Sequence, residues 1–90
     1  MDRSVITVVG RDNVGIIATI CTALAQHKVN ILEISQTIMS DIFNMMMIVD
    51  TSACDVSHDD LNQNLQQIAG SLGIHLLCQK EEIFDKMHRI

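Results

Sequence analysis

Residues 30–51 read NILEISQTIMSDIFNMMMIVDT, and this run decides the fold. Asn30–Met39 alternates between apolar and polar side chains, the pattern of a half-buried strand. Its apolar face is Leu32, Ile34 and Ile38, and its polar face is Glu33, Ser35 and Thr37. Phe43–Thr51 is a second apolar run, separated from the first only by Ser40-Asp41-Ile42. The connection is too short for a helix, so the two runs predict a β-hairpin.

A strand and a helix are predicted before this hairpin. Ser4–Gly10 is short and rich in Val and Ile, which is typical of a buried strand. A helical pattern follows, with Asn13 as N-cap and Gly15 at the second helical position. We expect this helix to end near Lys28, whose cation suits a helix C-terminus.

A second helix and a last strand are predicted after the hairpin. Ser57 and Asp60 resemble a capping box, and Gly73 is a typical residue just after a helix end. The apolar stripe between them is Leu61, Leu65, Ile68 and Leu72. Ile74–Lys80 reads as a strand, which completes the order β-α-β-β-α-β. The predicted fold is therefore α+β and ferredoxin-like, a four-stranded antiparallel sheet with both helices on one face.

Length and charge exclude several classes of protein. The 90 residues carry 11 acidic and 6 basic side chains, a net charge of -5, and 2% aromatic residues. Nucleic-acid binding needs clustered Lys and Arg or aromatic stacking platforms, so we expect no nucleic-acid partner. The chain has no run of the ~18 apolar residues that a membrane span needs, and its start does not fit a signal peptide. Three cysteines are an odd number, which favours a cytoplasmic protein with free thiols.

The first and third strands are apolar on both faces. The opposing sets are Val5 and Val9 against Ile6 and Val8, and Met46 and Ile48 against Phe43, Met45, Met47 and Val49. Helices can cover only one face of the sheet, so the other face is left with an apolar patch, which usually marks an interface. We expect a homodimer. The alternative is that the C-terminal segment folds back over this face.

That C-terminal segment, residues 81–90, is treated as a short amphipathic extension of a domain formed by residues 1–80. Its apolar residues Ile83, Phe84, Met87 and Ile90 fall at helical spacing. Ten residues do not hold a helix alone in water, so the segment must dock on its own domain or on a neighbour. It serves either as a packing extension or as a gate over a ligand site.

The loop after the first strand carries the most information about function. Arg11, Asp12, Asn13, Val14 and Gly15 join a strand to a helix N-terminus. Backbone N–H groups in the first turn of a helix attract a carboxylate or a phosphate, and a carboxylate at position 12 suits an ammonium group. A free amino acid carries both a carboxylate and an ammonium group, so its binding site needs both kinds of partner. The alternative is that Asp12 and Asn13 only cap the helix.

The element order, with Asp12-Asn13-Val14-Gly15 opening the first helix and Val29-Asn30-Ile31 opening the second strand, resembles an ACT domain. Three segments, residues 6–10, 30–39 and 83–90, resemble an uncharacterised bacterial and archaeal family of small ACT proteins. The glycine-cleavage repressor group is a more distant resemblance. The resemblance implies an amino-acid-binding regulatory module that works as a dimer and signals through a partner protein.

The same resemblance implies where a ligand would bind. In the amino-acid-binding ACT domains, contacts come from the loop leading into the first helix and from the start of the second strand of the paired domain. By position these are residues 11–15 on one chain and Asn30 with Ile31 on the other. This chain has Val14 where many members have proline, which keeps an N–H there. It also has Asp12 where biosynthetic members often have asparagine, so the ligand's pose and class stay open.

Two other functions are considered. An acylphosphatase-like hydrolase on the same fold would use Arg11 as an anion clamp and Asn44 to orient water, although the glycine-rich loop signature is missing. A ligand-free oligomerisation module is the second alternative. We expect no catalytic residue and no cofactor.

No metal site is expected either. Met46 points away from Met45 and Met47 on a strand, so the three thioethers do not converge on a metal. Cys54 with His58 lacks the paired spacing of a zinc site.

Overall fold

Six elements occur in the predicted order. They are β1 (Arg3–Arg11), α1 (Ile16–Gln26), β2 (Asn30–Met39), β3 (Ile42–Asp50), α2 (His58–Leu72) and β4 (His75–Lys80). The protein is represented by a computed structural model that describes residues 2–11 and 14–82. The four strands form one antiparallel sheet in the order β2-β3-β1-β4. The predicted α+β, ferredoxin-like fold is confirmed.

A tight turn closes the hairpin between β2 and β3. Ser40 and Asp41 both have positive φ, 50° and 66°, as a two-residue type I′ turn requires. Met39 and Ile42 flank this turn and pair with each other on the two strands. The predicted hairpin is confirmed, and its turn is one residue shorter than the sequence indicated.

Both helices cover the same face of the sheet. Ile6 on β1 pairs with Met47 on β3 and with Cys78 on β4. These three side chains belong to one buried cluster that includes Leu24 of α1 and Leu65 of α2. The core therefore lies between the two helices and the central strands.

The first helix begins later than predicted. Gly15 is its N-cap and has φ 93°, a left-handed conformation that residues with a Cβ avoid. Helical backbone angles therefore start at Ile16, and the predictions of Asn13 as the N-cap and of Gly15 as a helical residue were wrong. The helix ends close to the predicted Lys28, with His27 as C-cap.

The second helix has the predicted caps. Ser57 Oγ accepts a hydrogen bond from the Asp60 backbone N–H at 3.1 Å. Gly73 follows the helix with φ 69°. Both signals are local, and both are confirmed.

His27 ties the end of α1 to its neighbours. Its Nδ1 lies 3.0 Å from Asp55 Oδ1, and its Nε2 lies 3.1 Å from Asn64 Nδ2. Its carbonyl also accepts a hydrogen bond from the Asp55 backbone N–H. A neutral ring that donates from Nδ1 and accepts at Nε2 satisfies both side-chain contacts.

Strand β2 forms one edge of the sheet and is exposed along almost its whole length. A register shift falls between Ile31 and Glu33, so Leu32 is the extra residue of a bulge. Ile34 and Ile38 pair with Met47 and Phe43 and so share the helix-facing side. The prediction that Leu32 belongs to the same regular apolar face was wrong, because the bulge interrupts the alternation.

The face of the sheet opposite the helices is mixed in character. Val9, Met46 and Leu77 are each more than 40% exposed on it. Polar residues such as Thr7 and Asn44 share this face by register. The predicted alternation of β1 and β3 is confirmed, and the predicted role of this face in a dimer remains a prediction.

Candidate functional site

The β1–α1 loop places several of the predicted site residues at one end of the sheet. Arg11 is exposed at the end of β1, and Val14 is fully exposed, at 100% of its surface. Asp12 and Asn13 lie outside the described residues, as does most of the predicted C-terminal extension, residues 83–90. The loop therefore presents a cation and an uncovered apolar side chain directly before a helix.

The start of α1 offers backbone donors. Gly15 has no side chain with which to cap the helix, and its carbonyl accepts from the Thr19 N–H at 2.9 Å. The N–H groups of the first turn have no partner within a helix, and the helix dipole adds partial positive charge there. A carboxylate or phosphate is the natural acceptor for such a group of donors.

Position 15 favours glycine because of its backbone angle. Lack of space is not the reason, since the surroundings would admit a side chain. Of the residues that the structure describes, a Cβ at this position would meet only Thr19, with Oγ1 at 4.0 Å, while φ is 93°. The residue is thus free to be approached from outside, and its left-handed conformation sets where the first N–H groups point.

Asn30 and Ile31 lie at the other end of the sheet. Asn30 pairs with Asp50, which pairs with Arg3, whereas Arg11 pairs with Ile42. Strand β1 has nine residues, so eight steps of ~3.3 Å separate its two ends, a distance of about 26 Å. Within one chain, the structure does not bring Asn30 or Ile31 together with the β1–α1 loop.

The two residues at the Asn30 end differ in exposure. Asn30 is exposed, and Ile31 is half-buried against the core. Asn30 therefore has a side chain available for contact, while Ile31 mainly fixes the start of β2.

A carboxylate that sequence reasoning missed stands beside Asn30. Asp50 Oδ1 accepts hydrogen bonds from the Ser52 hydroxyl at 2.6 Å and from the Ser52 N–H at 2.9 Å. These bonds, the hydroxyl first, lower the pKa of Asp50 and keep it ionised. The signal was the Asp-x-Ser spacing of an Asx-type turn. Asp50 therefore contributes a negative charge at the Asn30 end, where the cation of Arg3 pairs with it by register.

The residues of the hydrolase alternative share one face. Arg11 pairs with Ile42 and Val9 with Asn44, so Arg11 and Asn44 are diagonal neighbours on the side away from the helices. Asn44 is exposed. The register places the two residues close to each other on the face opposite α1, the face that also carries Asn30 and Asp50.

The described parts of the chain hold neither a cluster of metal ligands nor a helix that could cross a membrane. Across residues 2–11 and 14–82, no three His, Cys, Asp or Glu side chains are grouped so that they could hold a metal ion. Neither described helix combines the length and the apolar character that crossing a membrane requires.

The sequence and the fold were compared with known proteins. A family model described as an ACT domain matches residues 3–79. A UPF0237 protein of Bifidobacterium longum is 53% identical over 90 residues, which cover 100% of each chain. Among solved structures, an ACT domain protein from Streptococcus pneumoniae has a TM-score of 0.81 and 30% identity, over 93% of this chain and 94% of that one.

A more distant structure has the same fold. A putative glycine cleavage system transcriptional repressor has a TM-score of 0.73 at 17% identity, over 88% of this chain and 45% of that chain. The resemblance read from the sequence is confirmed by the family match and by the full-length relative: the chain belongs to the ACT domain family, among its UPF0237 proteins.

Proposed function

We propose that this chain is a non-catalytic regulatory module that binds an amino acid between two copies of itself and signals through a partner protein. The observation that carries the proposal is the separation of the two candidate half-sites. The β1–α1 loop and Asn30 lie at opposite ends of the sheet, so a second chain must supply the missing half.

The free edge of β2 offers a way to bring the halves together. If β2 pairs antiparallel with β2 of a second copy about a two-fold axis, the start of one strand lies beside the end of the other. Asn30 of the partner subunit then lies at the same end of the sheet as Arg11 and Gly15. Two equivalent sites result, each built from both chains.

The two edges of the sheet differ in how open they are. On β4, the Leu76 carbonyl accepts a hydrogen bond of 2.6 Å from Gln66 Nε2 of α2. On β2, Ile34 and Ile38 are 45% and 60% exposed on the helix-facing side. An exposed, apolar strand edge is a ready surface for strand pairing, so β2 is the edge we assign to the dimer.

The charges at the two halves suit an amino acid. The first-turn N–H groups of α1 donate hydrogen bonds to the carboxylate, and the ionised Asp50 beside Asn30 of the partner subunit attracts the ammonium. Val14 is fully exposed in the single chain and would be covered by the ligand or the second copy. The net charge of -5 repels an anionic group from most of the surface, whereas the partial positive charge of a helix N-terminus attracts it.

A regulatory role agrees with the family. A solved structure of the same fold is titled as a putative transcriptional repressor, and a small module of this kind acts by changing its contacts. The signal can be no larger than the difference in ligand affinity between the two arrangements of the dimer.

The test is a thermal-shift panel of the standard amino acids. An amino acid present at 100 times its Kd stabilises the protein by about 2.7 kcal/mol, which moves the melting temperature of a small domain by several degrees. One or a few amino acids should shift the wild type, and Arg11→Ala and Asn30→Ala should each reduce the shift. If no amino acid shifts the melting temperature, the binding proposal is wrong and a ligand-free oligomerisation module becomes the better account.

The non-catalytic part of the proposal has its own assay. Pure protein incubated with an acyl phosphate should not hydrolyse it above the rate in buffer. Turnover that disappears in Arg11→Ala would replace the binding module with the hydrolase.

A further inference from the structure

A cavity lies at the end of the molecule away from the β1–α1 loop, where β1 begins, β4 ends and α2 starts. Its volume is about 410 Å³. The described residues that line it are Asp2, Arg3, Ser4, Thr51, Cys54, Val56, His58, Leu61, Lys80, Glu81 and Glu82. Neither the predicted site nor the proposed dimer uses this cavity.

Ser4 at the base of this cavity is the feature that points to a ligand. It is 1% exposed, and its Oγ is buried without a hydrogen-bond partner among residues 2–11 and 14–82. By register Ser4 lies between Val49 and Lys80, on the helix-facing side of the sheet together with Ile6 and Val8. Burying a hydroxyl without a partner is unfavourable, so a ligand that bonds this hydroxyl would relieve that penalty.

The rim of the cavity carries both signs of charge. Arg3 Nη1 lies 3.6 Å from Glu81 Oε2, and Lys80 adds a second cation. Asp2 and Glu82 contribute two further carboxylates. Two cations against three carboxylates disfavour a simple anion, whereas a molecule with one ammonium and one carboxylate finds a partner for each group.

Apolar side chains complete the lining. Leu61, at the first turn of α2, is fully buried, and Val56 packs against the core. Val56 is half-buried and so offers contact to the carbon atoms of a small ligand, and His58 at the start of α2 adds a further polar group. Most of the described lining residues are nevertheless polar or charged, so the charged groups of the rim decide which ligand fits.

We propose that this cavity is a second binding site, for a small zwitterionic metabolite. Its carboxylate lies toward Lys80, its ammonium toward the carboxylates of the rim, and a polar atom bonds Ser4 Oγ. The described lining comes from one chain, so binding there does not depend on the dimer or on the site at the β1–α1 loop.

The first test maps binding by amide NMR of the full chain. The probes are the standard L-amino acids, tested singly, and for alanine the matched compounds ethylamine and propionate, each of which lacks one charge. We expect an amino acid to shift the amides of Ser4, Val56 and Leu61, with a larger effect than either matched compound. Shifts confined to residues 11–15 and Asn30, or no shifts at all, would overturn the second site. The first of these outcomes would leave the proposed interface site standing.

The second test uses the Ser4 hydroxyl. Ser4→Ala should weaken binding of the amino acid identified by NMR by about tenfold, the equivalent of one buried hydrogen bond. The same variant should melt at a higher temperature than the wild type without ligand, because an unpaired buried hydroxyl has been removed. Weaker binding by a variant that melts at a higher temperature shows that a contact with the ligand was lost and that the fold was not damaged.

The matched control is Ser71→Ala. The Ser71 hydroxyl is exposed and donates to the Ile68 carbonyl at the far end of α2, so binding at the cavity should be unchanged. Wild-type affinity in Ser4→Ala would overturn the proposal, since it would show that the ligand does not use this hydroxyl.

Discussion

The backbone of Gly10 lies directly against Ile74. A Cβ built at residue 10 would come within 2.6 Å of Ile74 Cγ2 and 3.1 Å of Ile74 Cα. The second contact is with backbone, so a change of rotamer alone cannot relieve it. This close approach joins the end of β1 to the residue before β4, and it thereby fixes where the β1–α1 loop leaves the sheet.

Gly10→Ala should therefore destabilise the protein. Overpacking of this kind costs about 1–3 kcal/mol, measured as a lower free energy of unfolding in denaturant. The control is Gly70→Ala in α2, where a Cβ meets none of the described residues within 4 Å and alanine should stabilise the helix by about 0.5–1 kcal/mol. Equal stability of the two variants would contradict the close approach.

Gly15 and Gly73 form a second matched pair. Both have left-handed backbone, with φ of 93° and 69°, so alanine should cost roughly 1 kcal/mol at either position. Only Gly15 stands at the donors of α1, so Gly15→Ala should also weaken amino-acid binding, whereas Gly73→Ala should not. Calorimetric titration of both variants measures this, and equal affinities would argue against a ligand at the start of α1.

Two exposed surfaces are candidates for the dimer interface, the β2 edge and the open face of the sheet. Ile38 on the β2 edge is 60% exposed, and Leu77 on the open face of the sheet is 49% exposed. Ile38→Lys should lower the mass measured by light scattering toward that of the monomer, because it places a charge at the paired edge, and Leu77→Lys should leave the dimer intact. The opposite result would assign the dimer to the open face, and a wild-type monomer would rule out both surfaces.

The buried thiol of Cys78 predicts a loss of stability at alkaline pH. Burial, and to a smaller extent the nearby Cys54, raise its pKa from 9.0 to about 11. The folded state holds this proton more tightly than the unfolded state, so the stabilisation is complete below pH 9.0 and is lost as the pH rises toward 11. Unfolding free energies across this window should fall more steeply for the wild type than for Cys78→Ala. Parallel curves would show that Cys78 does not titrate in this way.

Local signals in the sequence were enough to predict most of the fold. Alternation over residues 30–51 indicated the hairpin, and Ser57 and Gly73 marked the ends of α2, because caps and turns depend on a few neighbouring residues. The start of α1 was misplaced because Asn13 is an equally good local cap. The choice of Gly15 depends on how the chain leaves β1, which no local pattern records.

The candidate site was predictable only in part. Arg11, Val14 and Gly15 were expected between the first strand and the first helix, and Arg11 indeed ends β1 while Val14 and Gly15 precede α1. Their role in binding a ligand stays a prediction. The bulge at Leu32 gave no signal, since it depends on pairing between distant residues. Ser4 gave none either, because a serine at the start of a strand reveals its missing partner only once the surrounding elements are packed.

The central claim is that each amino-acid site is built from two chains, and a mixed dimer tests it most directly. Arg11→Ala and Asn30→Ala each damage one half-site, so neither variant alone should bind the amino acid found in the thermal-shift panel. After the two variants are unfolded together and refolded, a mixed dimer contains one intact site, with Arg11 from one chain and Asn30 from the other, and one doubly altered site. Calorimetric titration should then recover binding at wild-type affinity with about one site in every mixed dimer. If the mixture stays as inactive as the separate variants, the two residues do not form a shared site and the claim is wrong.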